Sequence, residues 1–441
     1  MGIFKIKKFL FGAAAIAGSL MLSSCGGDDT LLDYSEEIDN STSNVSGLVP
    51  VGKPLHVDGK YLKGPEGQIV NLHGFCQTYS PYFNRNEWSG TDVASCLRTN
   101  KAKIDKIMAN GWGMDFVRLH MDPHWTCNGG GAENTSHTRY DQTKFKKYLD
   151  EVFVPMAEYM QSKGMRVVMR PPGVCPETIA YQDSYYYYLM NVWKIVANHP
   201  DLKNNPNIMF ELANEPVNFK ASDGKVGASG GSINKELSQF FQDIVNMMRN
   251  EGCNNILWIP GTSWQQNYEA YKQYPIKGKN IGYAIHCYPG WYGSDAFQKT
   301  GEIAPDMWHG SEGGYTGFKK LFTNSIVNTV GQKAPIIVTE MDWSHKRHDS
   351  QNDKGDRVGR TWGSSITGVA GGKGFGENFR KIMDECGNVS FVTFAWDYDL
   401  AAFDPKHAKD ENDFLYDPES CVLPIYRWYK EYWEAAKASA E

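Results

Sequence analysis

Ile208-Met209-Phe210-Glu211-Leu212-Ala213-Asn214-Glu215-Pro216-Val217 is the stretch whose reading decides the fold. A short apolar run closed by Asn-Glu-Pro reads as a buried strand over 208–213 that delivers a carboxylate to its C-terminal tip. Pro216 cannot donate to a sheet ladder, and it biases Glu215 away from the helical region. Far downstream, Pro335-Ile336-Ile337-Val338-Thr339-Glu340 repeats the plan, with a strand over 336–340 ending in a second glutamate.

Working outward from these two strands, strand-like and helix-like segments alternate to the end of the chain. The other candidate strands are 69–75, 115–121, 166–170, 256–260, 281–287 and 391–396. Helical spacing marks 101–110, with Gly111 as its C-cap, then 143–163, 232–250 and 425–437. The Asp-Gly pair in His56-Val57-Asp58-Gly59-Lys60-Tyr61-Leu62 predicts a small hairpin ahead of the first strand. Eight strands alternating with helices predict an α/β fold, a (β/α)8 barrel, rather than an open sheet. A minimal barrel takes ~250 residues, so a chain of 441 residues carries a surplus in its loops. The longest follow the 281–287 and 336–340 strands, at the C-terminal face of the barrel. No glycine-rich phosphate loop or dinucleotide fingerprint follows any strand, and no cofactor is expected.

The N-terminus reads as an export signal. Lys5, Lys7 and Lys8 precede an apolar run over 9–22, which is shorter than the ~20 residues a bilayer-spanning helix needs. Residues 1–24 are the expected signal peptide, and 25–50 a polar tether after Cys25. The catalytic domain is expected over 51–441. Leu22-Ser23-Ser24-Cys25 resembles a bacterial lipobox, which implies lipidation of Cys25. Gly26-Gly27-Asp28-Asp29 resembles the surface-export signals of Bacteroidetes lipoproteins. The expected location is the outer membrane, facing outward. A net charge of −6 without a dense basic patch gives no electrostatic footing for nucleic acid. The expected oligomeric state is a monomer. Eight cysteines follow Cys25 with no CxxC pair, so thiolate zinc has little support, while disulfides and buried thiols both stay open.

Two strand-end carboxylates in one domain are what glycosidic bond cleavage requires. One donates a proton to the leaving oxygen; the other, ionised, attacks the anomeric carbon. The run over 208–217 resembles the active-site pattern of glycoside hydrolase family 5, the cellulase-like retaining glycosidases, and the resemblance extends from Leu55 to Lys437. It implies a (β/α)8 barrel with catalytic glutamates on strands 4 and 7, Glu215 as acid/base and Glu340 as nucleophile. It further implies that Asn214 bonds the sugar 2-hydroxyl and that Arg118 orients the nucleophile. By the same resemblance His286 sits near the acid/base, Tyr288 donates to the nucleophile, and Trp396 floors the subsite of the attacked sugar. One departure is visible. Many members end strand 3 with a histidine, where this chain has Met169-Arg170-Pro171-Pro172. The loop from Gly173 and the Tyr185–Tyr188 cluster must shape that wall, and His120 or His124 is a candidate to fill the gap.

The expected activity is a retaining endo-β-1,4-glycanase acting on a polysaccharide, with glucan ahead of xylan and mannan. Trp88, Trp125, Trp264, Trp291, Tyr292, Trp308, Trp343 and Trp362 are candidate sugar-stacking rings on the loops. Two other classes compete with this reading. One is an inactive glycan-binding lipoprotein. The other is a metal-dependent barrel hydrolase using His120, Asp122 and His124, although Pro123 spoils the helical ligand spacing.

Overall fold

The computed structural model describes residues 48–84, 86–129, 136–288, 297–299, 302–303, 314–341, 350–351, 357–360, 376–393, 397–405 and 422–438. Eight parallel strands close into a barrel: β1 (His73–Gln77), β2 (Phe116–His120), β3 (Arg166–Arg170), β4 (Ile208–Glu211), β5 (Leu257–Pro260), β6 (Ile281–His286), β7 (Ile336–Glu340) and β8 (Val389–Thr393). Each pairs with its chain neighbours, and β8 returns to β1. The expected (β/α)8 barrel is the observed fold. The helices that cover it include α1 (Val93–Ala109), α2 (Val154–Ser162), α3 (Ser184–Asn198), α4 (Gly231–Asn250), α5 (Glu269–Gln273), α6 (Gly314–Phe322), α7 (Gly376–Cys386) and α8 (Val422–Ala438).

The strands are apolar on both faces because each has a packed layer on either side. In β4, Ile208 and Phe210 join the large cluster beneath the helices, while Met209 joins the barrel interior with Phe116, Val168, Trp258, Ala284, Ile337 and Val392. Gly282 makes room for the largest of these rings: a Cβ there would lie 2.2 Å from Cζ3 of Trp258. Val49, Leu55, Leu62, Val70 and Leu72 continue the interior cluster. Buried Arg166 ties the 49–53 segment to β3 by donating to the carbonyls of Val49, Pro50 and Lys53 at 2.8, 3.1 and 3.0 Å. The hairpin forms as expected, Asp58 pairing with Tyr61 around Gly59 at φ 55°.

Among the helices, two segments outside α1 differ from expectation for identifiable reasons. The 143–163 helix is three pieces, Gln142–Tyr148, a π-helical stretch over Leu149–Phe153, and α2. Pro155 lacks the N–H that would bond back within a regular α-helix, and the wider turn just ahead of it absorbs the mismatch. Tyr185–Tyr188 opens α3, a helix absent from the segments expected above; Asp183 caps it by accepting from the Tyr186 N–H at 2.7 Å.

At the C-terminal face the loops pair with one another. Thr178–Ala180, Asn218–Lys220 and Val226–Gly227 form a three-stranded sheet that joins the loops after β3 and β4. Glu302–Ile303, Phe297–Lys299, Arg357–Arg360 and Ser350–Gln351 form a four-stranded sheet that joins the long loops after β6 and β7. Cys76, Cys96, Cys175, Cys253 and Cys287 are buried free thiols and Cys386 a half-buried one, so none of these six is in a disulfide.

Candidate active site

Strand alternation sends Arg118 and His120 into the same interior as Phe116. There the fully buried guanidinium of Arg118 is shared between two carboxylates and an amide. Nε donates to Glu211 at 2.6 Å and Nη2 to the other Glu211 oxygen at 3.1 Å. Nη2 also donates to Asn214 Oδ1 at 2.6 Å, and Nη1 to Glu340 Oε1 at 2.7 Å. A guanidinium buried this deeply is tolerable only because its donors find charged or amide oxygens in place. Since Arg118 occupies Oδ1 of Asn214, the amide has its NH2 to offer.

A bulge brings Glu340 inward. Ile285 pairs with Val338 but His286 pairs with Glu340, so Thr339 is an extra residue in β7. Bulges re-aim side chains, and this one lets two successive residues serve the interior: Thr339 Oγ1 donates to Glu211 at 2.8 Å. Glu340 accepts from Arg118 and, on its other oxygen, from Tyr288 Oη at 2.6 Å. Burial pushes the Glu340 pKa up, but His286, Arg118 and Tyr288 outweigh it and hold the carboxyl below its ordinary value.

His286 lies among three carboxylates. Its Nδ1 is 3.0 Å from Glu215 Oε1 and 3.5 Å from Glu340 Oε2, while Nε2 lies 3.9 Å from Glu211, attracted but not hydrogen-bonded. Burial alone would lower the pKa of this imidazole. The charges of Glu340, Glu211 and Glu215 reverse that and lift it to about 9. A folded-state value raised from 6.5 contributes stability that is complete below pH 6.5 and is lost as pH rises through about 9. The melting temperature is therefore expected to fall across that window in the wild type and to fall less in His286→Asn. Parallel slopes for the two proteins in pH-resolved calorimetry would contradict this placement of the charge.

Glu211 is the site residue that sequence reading passed over. It has no solvent exposure and binds Arg118, Thr339 and Gln265 at once. Burial raises its pKa, but Arg118 and His286 more than cancel this and hold it well below the usual carboxylate range. The available signal was a glutamate inside an otherwise apolar strand, since a buried charge demands a partner.

Glu215 sits past the end of β4 at φ 56°, in the left-handed region. Pro216 keeps it out of the right-handed helical region as expected. Its N–H turns away from the sheet and donates to Gln265 Oε1 at 2.8 Å. Among the described residues, its carboxylate is hydrogen-bonded by His286 and by no guanidinium. Glu215, His286 and Glu340 each place one side-chain N or O atom within 4.8 Å of the others.

At the strand-3 position, Arg170 and His120 together occupy the gap. Arg170 Nη2 donates to His120 Nδ1 at 3.0 Å, and Arg170 Nη1 donates to the Gly173 carbonyl at 2.7 Å. His120 Nε2 lies 3.4 Å from Arg118 Nη1. Burial first, then Arg170 and Arg118, push the His120 pKa far below 6.5, so this imidazole is neutral. Both of its nitrogens face guanidinium groups, an arrangement unsuited to a cation. His124 instead bonds the Gly90 carbonyl at 2.7 Å, so these histidines do not build the metal site considered above. The tyrosine cluster supports the same wall from below, Tyr188 Oη donating to the Pro172 carbonyl at 2.7 Å.

Of the candidate stacking rings, Trp264 is 44% exposed, whereas Trp88 and Trp125 are 5% and 0% exposed and pack in the core. Trp125 spends its indole N–H on the Tyr79 carbonyl at 2.7 Å. Tyr82, in the loop after β1, is 78% exposed and escaped the sequence reading. Trp396, Trp291, Tyr292, Trp308, Trp343, Trp362 and Cys25 lie outside the described residues.

Fold and site together define a barrel protein with two carboxylates facing one another at the C-terminal ends of strands 4 and 7. The family model described as Cellulase (glycosyl hydrolase family 5) matches residues 65–365, and the chain belongs to that family. An endoglucanase of Bacillus sp. (strain KSM-635) is 29% identical over 192 residues, covering 42% of this chain and 18% of that protein. Endoglucanase Z of Dickeya dadantii (strain 3937) is 26% identical over 97 residues, 22% of this chain and 20% of that protein. The chain thus spans about a fifth of the length of these two relatives. Among solved structures, the β-glucanase SdGluc5_26A from Saccharophagus degradans is 17% identical with a TM-score of 0.53, over 90% of this chain and 96% of that one. The same protein in complex with cellotetraose aligns with a TM-score of 0.53 at 16% identity, over 89% of this chain and 96% of that one. These two structures share the fold of this chain.

Proposed function

We propose that the protein is a retaining endo-β-1,4-glycanase whose substrate is a β-1,4-glucan. The carrying observation is the approach of Glu215 and Glu340 to within 4.8 Å, with unequal surroundings. Retaining enzymes hold the two carboxyl groups ~5–5.5 Å apart, whereas inverting ones need ~6.5–9.5 Å to admit water. Glu340, held ionised by Arg118, Tyr288 and His286, is the group suited to attack. An oxygen of Glu340 bonds to the anomeric carbon as the glycosidic bond breaks. The leaving oxygen keeps the bonding pair and takes the proton of Glu215. Water then attacks the same carbon, returns a proton to Glu215 and releases Glu340. The NH2 of Asn214 meets the sugar 2-hydroxyl, a bond that strengthens as positive charge builds in the transition state.

The glucan assignment is supported by the names of the relatives and by the cellotetraose bound to the Saccharophagus β-glucanase. The exposed rings of Trp264 and Tyr82, on loops after β5 and β1, suit the flat C–H faces of a β-linked chain. The purified enzyme on β-glucan, xylan, mannan and xyloglucan is expected to release oligosaccharides chiefly from glucan. Proton NMR of the first turnover should show the β-anomer. An α-anomer appearing first would refute retention, monosaccharide as sole early product would refute endo action, and silence on all four polymers would refute the whole reading.

Anchorage at the cell surface through a lipid on Cys25 belongs to the same proposal and is supported by Leu22-Ser23-Ser24-Cys25. Cys25→Ala is expected to move the protein from the membrane fraction to the soluble one; an unchanged distribution speaks against the anchor.

A further inference from the structure

The loop after β5 carries a conformation that packing alone does not call for. Ser263, Trp264 and Gln265 are consecutive non-glycine residues in the left-handed region, at φ 52°, 55° and 60°. Each such residue costs on the order of 1 kcal/mol, and such runs persist only where the surroundings over-determine them. Here the surroundings are the acid/base segment itself. The Ser263 N–H donates to the Val217 carbonyl and the Trp264 N–H to the Pro216 carbonyl, both at 3.0 Å. The turn is thereby stitched to the two residues that follow Glu215.

The third residue of the turn points inward. Gln265 has no solvent exposure, and its amide is fully used. Oε1 accepts from the Glu215 N–H at 2.8 Å. Nε2 donates to Glu211 Oε1 and to the Ala284 carbonyl, each at 3.1 Å. The reversed amide would set NH2 against N–H and oxygen against two acceptors, so these partners fix its orientation. Gln265 therefore joins the backbone of Glu215, itself left-handed at φ 56°, to the buried carboxylate that holds Arg118.

We infer that Gln265 is a positioning residue for proton donation: it holds the Glu215 backbone in its left-handed conformation and so aims the carboxyl at the leaving oxygen. The inference rests on the acid/base role proposed above. A group acting through Glu215 should matter in proportion to how much the leaving group needs a proton. A merely structural residue should lower all rates alike.

The test compares kcat/KM, which reports the bond-breaking half-reaction, on two aryl β-glycosides of the disaccharide the wild type releases. One bears a 2,4-dinitrophenyl group that departs unaided; the other bears a phenyl group that needs protonation. Gln265→Met keeps the length of the side chain and removes its three hydrogen bonds. It is expected to lose about tenfold or more on the phenyl glycoside, within the 10²–10⁴-fold that general acid catalysis supplies, and less than about threefold on the dinitrophenyl one. Gln265→Glu, which when neutral can accept from Glu215 and donate to Glu211, should recover part of the loss. It also replaces Gln265→Met in the comparison if that variant does not fold. Equal losses on both substrates, or none, overturn the inference. Glu215→Gln run alongside separates the two levels: if it lacks leaving-group dependence, the acid assignment falls and takes this inference with it. If it shows that dependence and the Gln265 variants do not, only the inference falls.

Discussion

Glu340→Ala is expected to lower hydrolysis by about 10⁴–10⁶-fold while leaving the fold intact, the scale on which removing a nucleophile acts in other hydrolases. The size of the loss follows from what surrounds the carboxylate. Arg118 at 2.7 Å, Tyr288 at 2.6 Å and His286 at 3.5 Å are all arranged to stabilise one negative charge at that point. Without it, Glu211 offers no replacement, because it is engaged by Arg118, Thr339 and Gln265. The fold should survive because Arg118 keeps Glu211 and Asn214, so its buried charge is not stranded. The variant also makes a positive test possible. Azide fits the vacated space and attacks an activated aryl β-glycoside from the face Glu340 used, giving the α-glycosyl azide. Residual activity near the wild-type level, or a β-azide from this variant, would remove Glu340 from the nucleophile role.

The architecture was legible wherever a strand is buried on both faces. The 166–170 and 336–340 strands coincide with β3 and β7, and 208–213 contains β4. A continuous apolar run bounded by turn residues leaves few alternatives there. Strand 1 was placed too early, at 69–75 against His73–Gln77, because Val70 and Leu72 belong to the interior cluster below the barrel and share its apolar character. Helix α1 begins at Val93 rather than 101 since Asp92 caps it, accepting from the Ser95 N–H at 3.0 Å.

In the site, Glu215, Glu340, Asn214, Arg118, His286 and Tyr288, the residues that the resemblance names, come together in the structure, while Trp396 lies outside the described residues. Glu211 and Gln265 were not found, although one of them lies inside the quoted motif. Their contribution depends on contacts across the barrel, from β4 to β2 and from the loop after β5 to β4, and pairings of that kind leave no local spacing to read. The exposed rings were the least legible. A tryptophan in a loop is equally able to stack on sugar or pack beneath its own turn, and only tertiary contacts separate Trp264 from Trp125.

Glu215→Ala carries the second large effect, and its form distinguishes the two glutamates. Loss of the acid should lower kcat/KM on glucan by about 10²–10⁴-fold. A dinitrophenyl glycoside, which needs no proton to depart, should still transfer its sugar to Glu340 at close to the wild-type rate. Release of that sugar then stalls, because no base remains to activate water, so a burst of dinitrophenolate followed by slow turnover is expected. Azide requires no deprotonation and should restore turnover. It arrives after Glu340 has already displaced the leaving group, so the product is the β-glycosyl azide, opposite to that of Glu340→Ala. His286 is the control for this argument, lying 3.0 Å from Glu215 and 3.5 Å from Glu340 and protonated up to about pH 9. Were His286 the true proton donor, Glu215→Ala would keep its activity on glucan and show no burst, and the roles drawn from the two carboxylates would have to be reassigned.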